Sequence, residues 1–195
     1  SHPEEKDVFT IEELKDVFSL DRFSKSHAIY DIDKLKYINS QHIKLMSEET
    51  LLDRASEFIE KNSFFHQQNQ DWQLKFLKLY QEKIQLFPEL NCHLELLKRE
   101  EIEINDSLKE ILAWETTPQI KEYVSSKLNE ISEEYLTEEQ LGEWMDYCKK
   151  ELKIKGKPLF MGFRGVFTGQ NHGPDLKPLI ALTPVEVLKK RIASL

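Results

Sequence analysis

The sequence predicts an all-α protein of two helical lobes with no significant sheet, and three observations carry that prediction. Apolar residues recur at helical spacing through most of the 195 residues. Capping signatures punctuate them: Thr10-Ile-Glu-Glu13, Thr137-Glu-Glu-Gln140 and Thr183-Pro-Val-Glu186 each set a hydroxyl three residues ahead of a Glu or Gln. Strand-like alternation never persists beyond a few residues.

The elements follow in order. Thr10 opens a helix whose stripe is Leu14, Val17 and Phe18, and a polar, irregular stretch follows over 19–28. Asp31 caps a helix running to Lys44, with Leu35, Ile38 and Ile43 near one face. Ser47 caps the next, where Leu51, Leu52, Ala55, Phe58 and Ile59 hold 3–4 spacing. Asn69 or Asp71 starts a helix carrying Trp72, Phe76, Tyr80 and Ile84, and Pro88 interrupts it. Residues 89–98 read as helix, and a polar link near 101–105 joins the lobes. Beyond it lie a short helix over 107–114 and a helix begun by Pro118, with Val124, Leu128 and Ile131 as its stripe. Thr137 leads Leu141, Trp144, Met145, Cys148 and Leu152, and Thr183 leads Val187, Leu188 and Ile192.

Between these last two helices the character changes. Residues 156–180 hold five of the six glycines and three of the seven prolines, which predicts a shaped loop. Arg164 stands among apolar residues there, a position that suits contact with an anionic or base-like ligand.

Composition bounds the function. The chain is 39% hydrophobic and 32% charged, as expected of a globular protein with a real core, and no apolar run approaches the ~20 residues of a membrane span. The polar, acidic opening predicts no signal peptide, and the missing initiator Met predicts a piece of a longer chain. Cys92 and Cys148 have no ligand spacing, so they read as reduced thiols of a cytoplasmic protein. The formal charge of −8 is uneven. Residues 100–147 carry 3 basic and 14 acidic side chains, whereas residues 148–195 carry 10 and 3. A local basic field, not the sum, governs phosphate contact.

Catalytic signatures are missing. The six histidines pair with no Cys, His or acid at zinc spacing, and no P-loop, dinucleotide fingerprint or nucleophile elbow occurs. Ser24-Lys25-Ser26 reads as an ordinary polar loop, and Asp31 of Asp31-Ile-Asp33 reads as a cap. Lys75, Lys78 and Lys83 with Gln81 and Gln85 form a ridge opposite the aromatics of their helix. That pattern suits a core helix with a solvated face, and equally a surface for unpaired bases.

Two segments together resemble bacterial-type glutamyl-tRNA synthetases. The first is Phe18-Ser-Leu-Asp-Arg-Phe-Ser-Lys-Ser-His-Ala-Ile-Tyr-Asp-Ile-Asp-Lys-Leu-Lys-Tyr-Ile-Asn39. The second runs from Leu159-Phe-Met-Gly-Phe-Arg164 through Thr168-Gly169 and Gly173-Pro174 to Leu182. The resemblance implies the C-terminal part of such an enzyme: an α-helix cage that binds the anticodon, downstream of an absent catalytic domain for ATP and glutamate. Residues 1–30 would then be a connecting segment, 31–102 the first anticodon-binding lobe and 103–195 the second. This part would hold no cofactor and perform no catalysis, while the parent glutamate–tRNA ligase would use ATP with Mg2+. The implied partner is tRNA(Glu), with tRNA(Gln) a second candidate, and neither DNA nor a membrane; the implied state is a monomer.

Carried over residue by residue, the resemblance puts an anticodon contact on Arg164. It puts the lining of the first two anticodon bases on Gly173, Pro174 and Leu176, and the third-base contact on Lys83, where relatives use arginine. Lysine keeps the charge but loses the planar two-pronged donor. Gly162 replaces a proline of many relatives, a change in loop stiffness. Bases would lodge against Phe163, Pro174 and Leu176. Lys149, Lys150, Lys153, Lys155 and Lys157 would attract the RNA backbone. The competing expectation is a helical protein-interaction module that binds no RNA.

Overall fold

The computed structural model describes residues 6–20 and 30–195. Ser24-Lys25-Ser26 lies outside the described residues. Those described form helices α1 (Ile11–Val17), α2 (Ile32–Leu45), α3 (Glu48–Phe58), α4 (Gln70–Gln81), α5 (Glu89–Lys98), α6 (Asp106–Leu112), α7 (Thr116–Glu130), α8 (Glu138–Lys150), α9 (Lys157–Thr168), α10 (Leu176–Ala181) and α11 (Val185–Ser194). Extended pairing among them is a single bridge, Tyr135 with Pro184.

Most helices start where a side chain satisfies the first free amides. Thr10 and Thr137 make full capping boxes with Glu13 and Gln140. Asp31, Ser47, Asn69 and Asn105 accept from the amides of Lys34, Thr50, Trp72 and Leu108. Asn69, not Asp71, therefore caps α4. Thr183 makes no cap. It is fully buried, and its hydroxyl donates back to the Leu179 carbonyl at 2.9 Å, closing α10 instead of opening α11. Pro118 sits at the third position of α7, within its first turn, where its missing N–H still costs no helical bond. α4 ends at Gln81, short of Ile84, and the Glu89 carboxylate accepts from the Leu86 amide in the turn before α5.

Two apolar cores hold the chain. The first gathers α2–α5, with Ile43, Leu51, Phe65, Phe76, Tyr80 and Leu90 among its buried residues. The second gathers α7–α11 around Ile120, Leu141, Trp144, Phe163, Phe167 and Leu188. α10 serves both: Leu179 and Leu182 enter the first core while Ile180 enters the second. The first lobe is thus completed by side chains from the far end of the sequence.

The glycine-rich stretch is not one loop. Its first half is α9, the spine of the second core. Gly162 and Gly165 are there for close approach: a Cβ would come within 2.6 Å of Ile120 Cδ1 at Gly162, and within 2.9 Å of Ile111 Cγ2 at Gly165. Gly162 therefore governs helix packing, not loop stiffness. The turns are made at Gly156, Gly169 and Gly173, with φ of 62°, 67° and 148°. Gly169→Ala meets both difficulties, a left-handed φ and a Cβ 2.3 Å from Ile102 Cγ2. The expected result is a loss of about 2 kcal/mol in urea unfolding; a loss under about 0.5 would mean that Ile102 yields freely.

Candidate functional site

The site is built where α9 ends and α10 begins. Gly169 terminates α9 in the left-handed region, its N–H donating to the Gly165 carbonyl at 2.9 Å. Thr168 Oγ1 donates to the Arg164 carbonyl and accepts from the Gln170 amide, which sets the exit of the chain. Arg164, half-buried on the last turns of α9, then reaches under the loop. Its Nη2 donates to the Pro174 carbonyl at 2.7 Å, and its Nη1 is buried with no partner. Gly173 leaves the room for it: a Cβ there would lie 2.9 Å from Nη1. Burial lowers the Arg164 pKa, and the nearby Asp175 carboxylate opposes that shift.

Two hollows flank this loop. One, of about 330 Å³, lies between it and the end of α5, lined by Tyr80, His93, Arg99, Ile102, Gly173 and Pro174. His93 stacks on Tyr80, ring centroids 4.0 Å apart. Burial holds the His93 imidazole below its ordinary range, with Glu89 opposing. The unfolded chain then takes up the proton first, so stability falls as pH drops below about 6.5. His93→Gln is expected to flatten the decline measured between pH 7 and 5; an unchanged slope would assign that decline to other groups.

The second hollow is a groove of about 980 Å³ between α4 and the elements α8 and α10. Trp72, Lys83, Tyr135, Glu138, Asp175 and Pro178 are among its walls. Lys75 and Lys78 also line it, but each faces a carboxylate, Asp71 at 2.7 Å and Glu48 at 3.6 Å. Lys83 is exposed and enters no ion pair among the described residues. The Trp72 indole Nε1–H is buried without an acceptor. Tyr135 spans toward the first lobe, its hydroxyl donating to Gln68 Oε1 at 3.1 Å; burial and Glu134 push its pKa up to about 12, so it remains a donor at neutral pH.

The fold thus brings Arg164, Gly173 and Pro174 into direct contact, and sets Lys83 on a groove whose other wall includes Asp175, next to Pro174. Leu176 is half-buried and packs against the second core. Phe163 is fully buried in that core and cannot stack a base. The aromatics of α4 are core residues too, and Trp72 alone among them lines the groove. Lys149, Lys150, Lys153, Lys155 and Lys157 do not join the site. They lie at the end of α8 and the start of α9, a helix length of about 18 Å from the loop. Among the described residues no three His, Cys, Asp or Glu side chains could hold a metal, and no helix is long and apolar enough to cross a membrane. Both cysteines are free; burial pushes the Cys148 thiol up to about 11, which makes it a core residue and not a nucleophile.

A protein family described as an anticodon binding domain matches residues 50–195 of this sequence. The chain belongs to that family. The match covers the second core, the loop, and all of the first core and the groove lining except Ile43 and Glu48. Over 98% of its length the anticodon-binding chain is 33% identical to glutamate–tRNA ligase 1 of Caldicellulosiruptor saccharolyticus and 31% identical to glutamate–tRNA ligase of Bacillus velezensis. It spans about 40% of the length of each relative. A crystal structure of a glutamate tRNA ligase from Elizabethkingia meningosepticum superposes on 99% of the chain with a TM-score of 0.77, at 18% identity and over 38% of its own length. A second, from Elizabethkingia anophelis, gives 0.70. At that identity these structures speak for the shared fold of the domain.

Proposed function

We propose that this domain recognises the anticodon of tRNA(Glu) and holds that tRNA for ATP-dependent attachment of glutamate by a catalytic domain outside this chain. The observation that carries the reading is the groove between the two cores, bounded by Lys83 and by the Arg164-pinned loop, in a chain of the anticodon-binding family. The work is binding, not bond-making. An unstacked base needs an apolar wall and donors for its edge. Pro178 and Trp72 supply the wall and Lys83 a donor in the groove, Pro174 walls the hollow on the other side of the loop, and Arg164, its Nη1 buried, fixes the loop between them. Lys83 gives one mobile point charge where a guanidinium would give a fork, so discrimination at the third anticodon base is expected to be relaxed, and tRNA(Gln) is the second substrate to test. Gripping the anticodon at one end orients the acceptor end at the other, which is how remote binding energy serves catalysis. ATP and Mg2+ would be bound by residues outside this chain. The whole enzyme would work in the cytoplasm as a monomer.

The test is a titration of this chain with tRNA(Glu) and with an anticodon-substituted tRNA at two salt concentrations. Salt-sensitive binding that the anticodon change weakens supports the reading. Equal binding of both tRNAs would reduce it to electrostatic attachment, and no binding would favour a protein-interaction module.

A further inference from the structure

The lysine-rich end of the second lobe carries features that folding alone does not require. Lys149, Lys150, Lys153, Lys155 and Lys157 fall within nine residues that hold one acid, Glu151, and all five are exposed. Only Lys150 has a carboxylate in range among the described residues, Asp146 at 3.7 Å. Lys157 lies over the Trp114 ring at 5.8 Å, and Phe160, one turn on, is 60% exposed. Unpaired lysines beside aromatic surface form the footprint of a nucleic-acid strand.

Two of the lysines sit where the fold would prefer something else. Lys153 has φ 59°, the one non-glycine residue with positive φ among those described. Glycine or asparagine ordinarily fills such a position past a helix end. The Lys153 ammonium does donate to the Lys150 carbonyl, yet the backbone already closes α8 through Glu151 N–H to the Tyr147 carbonyl and Ile154 N–H to the Cys148 carbonyl. Lys157 holds the first position of α9, where the helix dipole disfavours a cation. Lys149 and Lys150, by contrast, suit the last turn of α8.

The location separates this patch from the groove. α8 begins beside the groove, at Thr137 and Glu138, and ends at the lysines; α9 runs back from Lys157 to the loop. We propose that Lys149–Lys157 is a second RNA-contact surface, gripping phosphates of the bound tRNA outside the anticodon, and that Lys153 is kept left-handed for its charge. The proposal rests on the tRNA reading above. None of these lysines lines the hollow or the groove described above, so the contact is assigned to the phosphate strand, which positions the RNA without reading its sequence.

The experiment compares this chain with Lys153→Gly and with the triple variant Lys149→Gln, Lys153→Gly, Lys155→Gln. Lys153→Gly is expected to raise the melting temperature by about 2 °C, since glycine tolerates that backbone. The triple variant is expected to weaken tRNA(Glu) binding about tenfold at 0.1 M salt and to lower the slope of log K against log salt by about 2. The anticodon-substituted tRNA should lose affinity in the same proportion. Unchanged affinity and slope, with anticodon-dependent binding intact, would overturn the patch and leave the anticodon reading standing. Lost anticodon discrimination in the triple variant would place the lysines in the base-reading site and overturn a separate contact. A lowered melting temperature for Lys153→Gly would show that the lysine serves the fold. Failure of the unaltered chain to bind tRNA overturns both readings. Binding of polyglutamate through these lysines, with tRNA binding unmoved, would assign the patch to an acidic protein.

Discussion

Arg191→Met is expected to lower the melting temperature of this domain by about 9 °C, corresponding to about 3 kcal/mol. Arg191 stands on α11 and is 6% exposed. Its Nε donates to the Arg99 carbonyl at 2.7 Å, its Nη1 to the Phe167 carbonyl at 3.2 Å and its Nη2 to the Leu96 carbonyl. Those carbonyls lie at the ends of α5 and α9, where no helical amide reaches them and where a positive charge meets the negative pole of each helix. One guanidinium therefore closes two helices that belong to different cores. Burial, with Arg99 nearby, pushes its pKa down to about 10, so it remains charged at neutral pH. Methionine fills much of the same volume and removes every donor, leaving the carbonyls unserved. Lysine can restore one bond and should recover part of the loss. Calorimetry of the three proteins decides the matter: a Met variant within about 1 kcal/mol of the unaltered chain would show that the clamp contributes little.

Arg164→Ala is expected to weaken tRNA(Glu) binding about thirty-fold at fixed salt, or about 2 kcal/mol. The substitution removes two things at once. It frees the Pro174 carbonyl, so the loop from Gly169 to Asp175 loses the strut that fixes its shape, and it deletes the buried donor Nη1. Arg164→Lys separates them, since a lysine can hold one acceptor but not present the second donor. Intermediate affinity for the lysine variant would mean that both roles count, and affinity equal to that of alanine would mean that the fork is required. An unchanged dissociation constant for alanine would reject the role of Arg164 in the tRNA site.

Much of the fold was legible because it is written locally. A cap needs only an acceptor and an amide three residues on, so Thr10, Asp31, Ser47 and Thr137 could be read from spacing. Thr183 shows the limit of that rule: its hydroxyl turned back to Leu179, because burial in the core left it only the preceding carbonyl to serve. The glycine-rich stretch misled for a related reason. Glycine permits a turn and also permits two helices to touch, and the sequence does not distinguish Gly169, which turns, from Gly162 and Gly165, which let α9 lie against α7 and α6.

The candidate site was legible only in part. Arg164, Gly173 and Pro174 are near in sequence, and their resemblance to a family pattern was visible there. The groove was not, since its walls come from Trp72, Lys83, Tyr135, Glu138 and Asp175, which only packing brings together. Phe163 looked available to a base and proved to be core, and the five lysines, read as RNA-backbone contacts, stand a helix away from the loop.

The sequence by itself determined the helices other than α9 and α10, most of their caps, their apolar stripes and the family, because periodicity, capping and motif order are properties of neighbours along a chain. Tertiary structure alone decided that Leu179 and Leu182 complete the first core, that Arg191 joins α5 to α9, and that one hollow and one groove flank the loop. Those outcomes depend on which distant surfaces exclude water together, and that is settled only when the whole chain has packed.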